Sequence, residues 1–342
     1  MTLSNKMKSV SHIGNINRLY MAFMVTLLIG LASCRQDTAV VEDSKPTKAA
    51  VKVPAVNGDT LYSFVEKQLS FGHRIPGTAE HKACRDWIID KLESYGAQTQ
   101  VQEFKASFYD VVDADAYNII ATFNPDKKHR VLLAAHWDSR MVAEKDPEQA
   151  KRDEAIMGAD DSGSGVAGLL EIARVISQNP IDLGIDLIFF DAEDNGTPNK
   201  NNKTWCLGSQ YWAKNMHDPD YKAKFGILLD MIGAKGATFG KEGISQRYAK
   251  RYHDKIWNLG QRMGYTDLFV DTPFGGIEDD HVYVNQAGIP MLDIINYDIQ
   301  TNKFAHYHHT HKDDISVIDK RILRVVTQVV TAAIYKESTY HL

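Results

Sequence analysis

The sequence predicts an α/β fold, a three-layer α/β/α sandwich with a mixed, mostly parallel central sheet. Two observations lead to it: short apolar runs typical of buried strands, and longer segments with apolar residues three and four positions apart, typical of helices. The two kinds of segment alternate along the chain, as they do where helices cover both faces of a sheet. One large domain accounts for all of them.

The elements follow in order. Helices are predicted in DTLYSFVEKQLSFG, TAEHKACRDWIIDKLESYG and GSGVAGLLEIARVISQNP, each closed by glycine or Asn-Pro. Branched and aromatic residues predict strands in TQVQEFKASF, YNIIATF and HRVLLAAHW, and apolar runs predict further strands in IDLIFFDAE, KFGILLDMIG and IPMLDIINYD. Two later helices are predicted, one long helix in ISQRYAKRYHDKIWNLGQRMGY and a closing helix in KRILRVVTQVVTAAIYKEST.

The N-terminus predicts export. The apolar run LYMAFMVTLLIGLAS follows basic residues and is short for a membrane span, which is typical of a signal peptide. Small residues directly before Cys34 are typical of a bacterial lipoprotein signal, so we expect residues 1–33 to be removed and Cys34 to carry lipid. An ordinary signal peptide with an incidental cysteine is the alternative. With the lipid, the chain would be anchored to the membrane on the periplasmic side of the cell envelope.

The segment after Cys34 is polar and has no apolar periodicity, which predicts a flexible tether over residues 34–58. The single α/β domain then spans residues 59–342. Its remaining cysteines, Cys84 and Cys206, lie far apart in sequence, and we predict no disulfide between them. The net charge of -5 and the absence of long basic runs make nucleic acid an unlikely partner. We expect a monomer.

Acids and imidazoles follow four predicted strands and occupy two loops: His136, Asp138, Asp160, Asp161, Glu193, Asp194, Asp230, Asp293, His308, His309 and His311. A single acid at a strand end is more often a turn former or a helix cap. However, ligands of open α/β sheets bind beyond the carboxyl ends of the strands, where these residues would meet. Converging carboxylates need a cation or shared protons, and carboxylate with imidazole but without thiolate is typical of catalytic zinc.

Several segments resemble, in order and spacing, the glutaminyl cyclases related to animal glutaminyl-peptide cyclotransferase. They are GHRIPGT, YNIIATFNPDKKHRVLLAAHWDSR, MGADDSGSGVAGLLEIARVI, LIFFDAED, LGSQYWA, LLDMIGA, GIEDDHVYVNQAGIPMLDII and HHTHKDD. The family is an offshoot of the zinc aminopeptidase superfamily, and the similarity runs from about Tyr62 to the C-terminus. It implies a zinc aminopeptidase-like fold. It also implies cyclisation of the N-terminal glutamine of peptides or proteins to pyroglutamate, with release of ammonia.

The resemblance implies one zinc ion bound by Asp161, Asp194 and His309. Asp194 stands where the family usually has glutamate, but it still offers carboxylate oxygens. His308 and His311 are the rivals of His309 for the imidazole ligand. The cysteine pair of the animal enzymes is absent, the tryptophan that often precedes the ligand histidine is His308 here, and another family histidine is Asp293.

The same resemblance implies that Glu193 is the general acid and base. Asp230 and Asp279 correspond to two acids that hydrogen-bond around it. The structural alternative for these acids is helix capping, which the sequence favours more for the neighbouring Asp280 than for Asp279. Asp191 is interpreted as a structural acid. Apolar and aromatic residues of the glutamine pocket are implied at Trp205, Ile277 and Phe304.

Two other functions remain open. A two-zinc aminopeptidase of the same superfamily would use His136 and Asp230 for a second ion, with Asp161 bridging, and all three residues are present. The motifs GIEDDH and NIIATFNP resemble the cyclases more closely. A non-catalytic binding module on this fold is disfavoured because the implied ligands and general base are intact.

Overall fold

A computed structural model describes residues 51–198 and 202–342; the predicted signal peptide, Cys34 and most of the predicted tether lie outside these ranges. The α-helices of the described ranges are α1 (Gly58–Leu69), α2 (Ala79–Ser94), α3 (Gly163–Gln178), α4 (Leu207–Lys214), α5 (Gly243–Tyr248), α6 (Lys250–Arg262), α7 (Asp280–Gln286) and α8 (Lys320–Glu337). The strands are β1 (Gln98–Phe108), β2 (Val111–Phe123), β3 (Arg130–His136), β4 (Gly184–Phe190), β5 (Gly226–Asp230), β6 (Phe239–Lys241), β7 (Phe269–Pro273) and β8 (Met291–Ile295). None of the described helices is long and apolar enough to cross a membrane.

Six strands form the central sheet in the order β1-β2-β4-β3-β5-β8. Strands β4, β3, β5 and β8 run parallel, whereas β2 is antiparallel to both β1 and β4. The mixed, mostly parallel sheet predicted from the sequence is therefore confirmed. The short β6 and β7, which the sequence did not predict, pair as a separate two-stranded sheet.

Alternate residues of β3 face opposite sides of the sheet. One set, Val131, Leu133 and Ala135, joins the larger apolar core beneath α1, α2, α3, α6 and α8. The other set, Leu132 and Ala134, joins a smaller core beneath α4 and α7. Because both faces of the strand are covered, β3 has a continuous apolar sequence, and the molecule has three layers.

Helix α3 packs unusually close to the sheet. A Cβ atom added at Gly165 would lie 2.3 Å from the carbonyl oxygen of Leu229 in β5, so only glycine allows this approach. The contact brings the first turn of α3, and with it the loop that carries Asp161, to the ends of β3 and β5. The small residues of GSGVAG therefore help to position that acid.

The residues before α1 lie along the domain. Gln328 in α8 accepts a hydrogen bond from the backbone N–H of Val56 (2.9 Å) and donates one to the carbonyl oxygen of Pro54 (2.9 Å). The N–H of Asn57 donates to Glu171 in α3 (2.8 Å). These bonds fix where the chain enters the domain.

The prediction of one long helix over 244–265 is wrong. The helix breaks at Ala249, whose φ of -125° and ψ of 21° are not helical, and α5 and α6 lie on either side of it. Helix α5 is held near β8, because the Ser245 hydroxyl accepts a hydrogen bond from the Asp293 N–H (2.9 Å), whereas α6 buries Trp257 in the larger core. The two packing partners require different helix directions, which apolar periodicity does not reveal.

Asp191, at the end of β4, has the structural role that the sequence suggested. Its carboxylate accepts hydrogen bonds from His81 Nε2 (2.9 Å), the Tyr117 N–H (2.6 Å) and the Ala192 N–H (2.8 Å), and all are buried. Asp191→Ala would leave three buried donors unpaired, so we expect the free energy of unfolding in urea to fall by about 3–5 kcal/mol. The exposed Asp126→Ala is the control, with an expected change within about 0.5 kcal/mol. Equal effects of the two substitutions would contradict this role.

Candidate active site

The parallel strands end at one edge of the sheet, and the chemically active side chains collect there. His136 is the last residue of β3, Asp230 is the last residue of β5, and Glu193 and Asp194 follow β4 after a short turn. This is the edge at which ligands bind in open α/β sheets. The site therefore lies where the strand-end acids predicted it.

A cavity of about 460 Å³ opens at this edge, a volume suited to a small ligand. All nine side chains that the sequence analysis assigned to a site line it: Asp161, Glu193, Asp194, Trp205, Asp230, Ile277, Asp279, Phe304 and His309. They come from parts of the chain that are as far apart in sequence as Asp161 and His309. The fold thus brings together the whole predicted set.

The turn that carries Glu193 and Asp194 is held by Asp138. One carboxylate oxygen of Asp138 accepts the Glu193 N–H (3.1 Å), and the other accepts the Asp194 N–H (3.2 Å). The side-chain amide of Asn195 donates a third hydrogen bond (2.9 Å). The sequence marks Asp138 only as an acid at the end of a strand. Its role is not visible there, because its hydrogen-bond partners lie more than fifty residues away along the chain.

Asp313 holds the other acidic turn in the same way. Its two carboxylate oxygens accept the N–H groups of Asp160 (2.8 Å) and Asp161 (3.2 Å). Asp160 itself points away from the cavity and accepts hydrogen bonds from the Tyr307 hydroxyl (2.5 Å) and the Gly233 N–H (2.7 Å). Asp160 is therefore a structural acid, and Asp161 is the one presented to the site.

Asp161, Asp194 and His309 present donor atoms to one another. His309 Nε2 lies 2.9 Å from Asp194 Oδ1 and 3.9 Å from Asp161 Oδ2, and all three side chains are buried. Asp194 Oδ2 is buried, and no hydrogen-bond partner for it lies among the described residues. A buried carboxylate with an unsatisfied oxygen, beside a second carboxylate and an imidazole, fits a divalent cation such as zinc.

Glu144 orients His309. Its Oε1 atom lies 2.6 Å from His309 Nδ1, so Nε2 is the nitrogen that faces the two aspartates. Burial opposes ionisation of Glu144, but His309 and Arg140 outweigh it and lower the pKa of Glu144 to about 2. A carboxylate on the far nitrogen of a metal-binding histidine fixes its tautomer and raises its basicity. No pattern in the sequence points to Glu144, because it lies far from His309 along the chain.

Glu144→Gln should therefore weaken zinc binding by about 10- to 100-fold. The glutamine amide would still touch His309 but would not provide the negative charge that polarises the ring. Competition with a chromogenic chelator measures the affinity, and Glu148→Gln, an exposed acid in the same loop, is the control. Unchanged zinc affinity in Glu144→Gln would separate Glu144 from the metal site.

The two rivals of His309 have other partners. His311 Nδ1 lies 2.9 Å from Asp146 Oδ2, and its Nε2 lies 3.5 Å from Glu154, away from the acids of the cavity. His308 lines the cavity, but its Nδ1 lies 2.6 Å from Lys145 Nζ and its Nε2 is 3.8 Å from Asp161 Oδ2. His308 lies about as close to Asp161 as His309 does, but among these three histidines only His309 contacts Asp194 within the described residues.

Glu193 is buried next to this donor set without sharing its contacts. The Cys206 thiol donates to Glu193 Oε1 (3.2 Å), and both residues have donor atoms within 4.8 Å of Asp279. Burial raises the pKa of Glu193 well above its ordinary value; His136 opposes the shift, and nearby carboxylates, Asp279 first, add to it. A carboxyl group with a raised pKa can both accept and release a proton near neutral pH.

Asp279, rather than Asp280, caps α7, which reverses the order of preference drawn from the sequence. The Asp280 N–H donates to Asp279 Oδ1 (2.5 Å), and the Asp280 carboxylate accepts from the Ser209 hydroxyl (2.5 Å). The other oxygen of Asp279 is buried, and no hydrogen-bond partner for it lies among the described residues. Asp279 therefore caps the helix with one oxygen, and its side chain also lines the cavity.

A second donor set shares Asp161. His136 Nε2 lies 3.0 Å from Asp161 Oδ1 and 3.3 Å from Asp230 Oδ1. Burial opposes protonation of His136, but Asp138, Asp161 and Asp230 outweigh it and raise its pKa well above the ordinary value. Either a proton on His136 or a second cation could compensate the charge of these carboxylates.

Four residues around the site have a left-handed backbone that is unfavourable for side chains with a Cβ: Ala192 (φ 53°), Cys206 (φ 52°), Met231 (φ 50°) and His309 (φ 56°). Each such residue costs about 1–3 kcal/mol and persists only where the surrounding structure enforces it. Three of them are, or directly adjoin, His309, Glu193 and Asp230. The backbone strain is thus concentrated at the positions that direct His309, Glu193 and Asp230 into the cavity.

Aromatic rings form the walls of the cavity. The Trp205 ring stacks on His309 with 6.1 Å between centroids, and the Arg140 guanidinium lies 4.7 Å from the Trp205 ring centroid. The Phe304 ring stacks on His308 at 4.1 Å. Cys84 and Cys206 are buried free thiols.

The sheet, the cavity and the donor set together define the zinc exopeptidase-like class of α/β enzymes. Residues 118–334 match Peptidase family M28, and the chain belongs to this family. Among solved structures, the chain is similar to the glutaminyl cyclase of Tannerella forsythia, with 47% identity and a TM-score of 0.80 over 82% of this chain and 99% of that chain. It is equally similar to a Zn-dependent exopeptidase from Parabacteroides distasonis ATCC 8503, with 47% identity and a TM-score of 0.81 over 83% and 99%.

Curated relatives include both kinds of enzyme. The glutaminyl-peptide cyclotransferase of Drosophila melanogaster is 26% identical over 72% of this chain and 72% of its own length. Aminopeptidase YwaD of Bacillus subtilis is 28% identical over 72% of this chain, which spans only 50% of that protein. The resemblance to glutaminyl cyclases is confirmed, and the aminopeptidases are relatives of the same family.

Proposed function

We propose that this protein cyclises the N-terminal glutamine of peptides or proteins to pyroglutamate and releases ammonia. The observation that carries the proposal is the position of Glu193, a buried carboxyl with a raised pKa beside the Asp161, Asp194 and His309 donor set. Glu193 and the three donor residues line a cavity of about 460 Å³ with aromatic walls, which suits one glutamine side chain. The similarity to solved glutaminyl cyclases favours this activity within the family.

In the proposed reaction, the α-amine nitrogen of glutamine attacks its own γ-carbonyl carbon, and the bond to the amide nitrogen breaks. Asp161, Asp194 and His309 would hold one zinc ion, which when bound supplies Lewis acidity toward the γ-carbonyl oxygen. Glu193 takes the proton from the α-amine and gives it to the leaving nitrogen, so that ammonia departs and no net proton is consumed.

Other residues would orient the substrate. Asp279 and Asp230 line the cavity together with Glu193, and Asp230 is held by His136. These acids would hold the amine and amide groups by hydrogen bonds. Trp205, Ile277 and Phe304 would enclose the methylene groups of the glutamine side chain and exclude water that could hydrolyse the amide.

The direct test uses purified protein without its N-terminal signal. Peptides that begin with glutamine are incubated with it, and ammonia and the pyroglutamyl product are measured together. The same peptides beginning with asparagine are the control, because a shorter side chain would have to close a strained four-membered ring. Release of the first residue from leucyl peptides, with glutaminyl peptides left uncyclised, would overturn the proposal.

The second candidate is a two-zinc aminopeptidase, which the proximity of His136, Asp161 and Asp230 favours. Metal analysis separates the two. One tightly bound zinc ion per active molecule fits the cyclase, whereas two ions, both needed for activity, fit the aminopeptidase.

We also propose that the enzyme acts as a lipoprotein on the periplasmic side of a bacterial envelope. The support is the sequence before Cys34 alone. Cys34→Ser should move the protein from the membrane fraction to the soluble fraction, as measured by immunoblotting of fractionated cells, with Cys84→Ser as the control. Membrane association that persists in Cys34→Ser would exclude a lipid anchor at this cysteine.

A further inference from the structure

A lysine and a histidine form a pair in the wall of the cavity. The Lys145 ammonium donates a hydrogen bond to His308 Nδ1 over 2.6 Å. Its Nζ atom lies 5.3 Å from the centroid of Phe304, whose ring stacks on His308 almost in parallel, with 4.1 Å between centroids and 4° between planes. The Lys145 N–H also donates to the carbonyl oxygen of His309 (3.3 Å). Lys145 thus holds the edge of the His308 ring, and Phe304 covers one of its faces.

The hydrogen bond from Lys145 determines which ring nitrogen of His308 carries the proton. An ammonium group has three N–H donors and no acceptor, so His308 Nδ1 must accept with its lone pair. The neutral imidazole then has its proton on Nε2. Burial lowers the pKa of Lys145 and Arg140 adds to the shift, while Glu144, Asp194 and Asp161 offset part of it.

The Nε2–H group of His308 faces the cavity. Its distance of 3.8 Å to Asp161 Oδ2 is too long for a hydrogen bond, and no other acceptor among the described residues pairs with it. His308 lines the cavity together with Glu193 and Asp194. The group is therefore an unused donor next to the space where a substrate carbonyl would lie.

We propose that Lys145 holds His308 as the Nε2–H tautomer and that His308 donates this hydrogen to a carbonyl oxygen of the bound N-terminal glutamine. His308 is then a substrate-binding residue, and Lys145 is its positioning residue. The inference rests on the proposed function for the identity of the ligand.

The same tautomer prevents competition for the metal. A histidine binds zinc through an unprotonated nitrogen, and the only such nitrogen of His308 is occupied by Lys145. His309, whose Nδ1 contacts Glu144, instead presents Nε2 to Asp161 and Asp194. The residue that contacts Nδ1 therefore distinguishes the two histidines: Lys145 leaves His308 with an Nε2–H donor, and Glu144 leaves His309 with an Nε2 that can bind the metal.

The first test observes the tautomer directly in the zinc-loaded protein. Long-range proton–nitrogen NMR correlations of the ¹⁵N-labelled histidines distinguish the two tautomers, and His308→Phe assigns the signal. We expect a protonated Nε2 in the wild type and a mixture of tautomers in Lys145→Met. A proton on Nδ1 in the wild type would overturn the inference.

The second test measures steady-state kinetics with a glutaminyl peptide. Lys145→Met and His308→Phe should each raise KM about five-fold, the worth of one net hydrogen bond, with kcat unchanged. His308→Phe keeps the ring stacking, and His308→Trp should recover the KM by restoring an N–H donor. Lys151→Met, which removes the charge of a nearby lysine that pairs with Glu148 and has no contact with His308, is the control.

The double variant provides the decisive comparison. If Lys145 acts through His308, Lys145→Met should have no further effect on KM in the His308→Phe background. Equal effects of Lys145→Met in both backgrounds would show that the lysine acts on its own and would overturn the inference. Failure of the wild type to cyclise any glutaminyl peptide would instead overturn the proposed function and the substrate assignment with it, while the NMR result still decides the tautomer.

Discussion

Glu193→Gln will lower kcat for the cyclisation of a glutaminyl peptide by about 100- to 10,000-fold and leave zinc bound. Glutamine keeps the shape of the side chain and its contact with Cys206, but it has no carboxyl group to carry a proton from the α-amine to the leaving nitrogen. Zinc is expected to stay because Glu193 is not among the three proposed ligands. Coupled detection of ammonia gives kcat, and mass spectrometry of the same samples gives the zinc content.

A matched control is available in the same cavity. Glu278 is also an acid of the cavity wall, but its carboxylate accepts a hydrogen bond from the Tyr283 hydroxyl (2.7 Å). It has no proposed part in proton transfer. Glu278→Gln should therefore change kcat far less. Loss of zinc together with activity in Glu193→Gln would mean that the ligand and the general base have been assigned to the wrong residues.

His309→Ala will remove zinc, whereas His308→Ala will retain it, although the two residues are adjacent and their rings stack at 3.7 Å. His309 presents Nε2 to both aspartates, so its loss leaves only carboxylates to bind the metal. We therefore expect zinc affinity to fall by more than in Glu144→Gln, for which the expected loss is at most roughly 100-fold. Chelator competition measures the affinity of each variant, and turnover is measured before and after adding back zinc.

Loss of zinc in His308→Ala and its retention in His309→Ala would mean that His308, and not His309, is the metal ligand. A wild-type protein that binds two zinc ions, and loses one of them in His136→Ala together with its activity, would support the aminopeptidase instead. A single ion in the wild type, unaffected in number by His136→Ala, fits one zinc at Asp161, Asp194 and His309.

Most of the elements were predictable because their signals are local. The apolar runs of β3, β4 and β5 reflect burial on both faces, and glycine or Asn-Pro marks the ends of the early helices. The break at Ala249 was missed because it depends on different packing partners for α5 and α6, which lie elsewhere in the chain. The short pair β6 and β7 was missed because three to five residues carry too little pattern.

The site could be anticipated in part. Strand-end acids and the resemblance to a family pointed to Glu193, Asp194 and the other cavity residues, and the structure brings those side chains together. Glu144, Asp138 and Lys145 gave no such signal. Each acts through a hydrogen bond to a residue that is distant in sequence, and the choice of partner depends on the folded backbone.

The sequence by itself determined the class of fold, the order of most of its elements and the set of acids and imidazoles available for chemistry, because these follow from local apolar pattern and from residue type. Only the tertiary structure decided how the members of that set differ. Buried side chains must satisfy their hydrogen-bonding groups with whatever the fold brings near them. Lys145 therefore contacts His308 and Glu144 contacts His309, while Asp279 caps a helix and also lines the cavity.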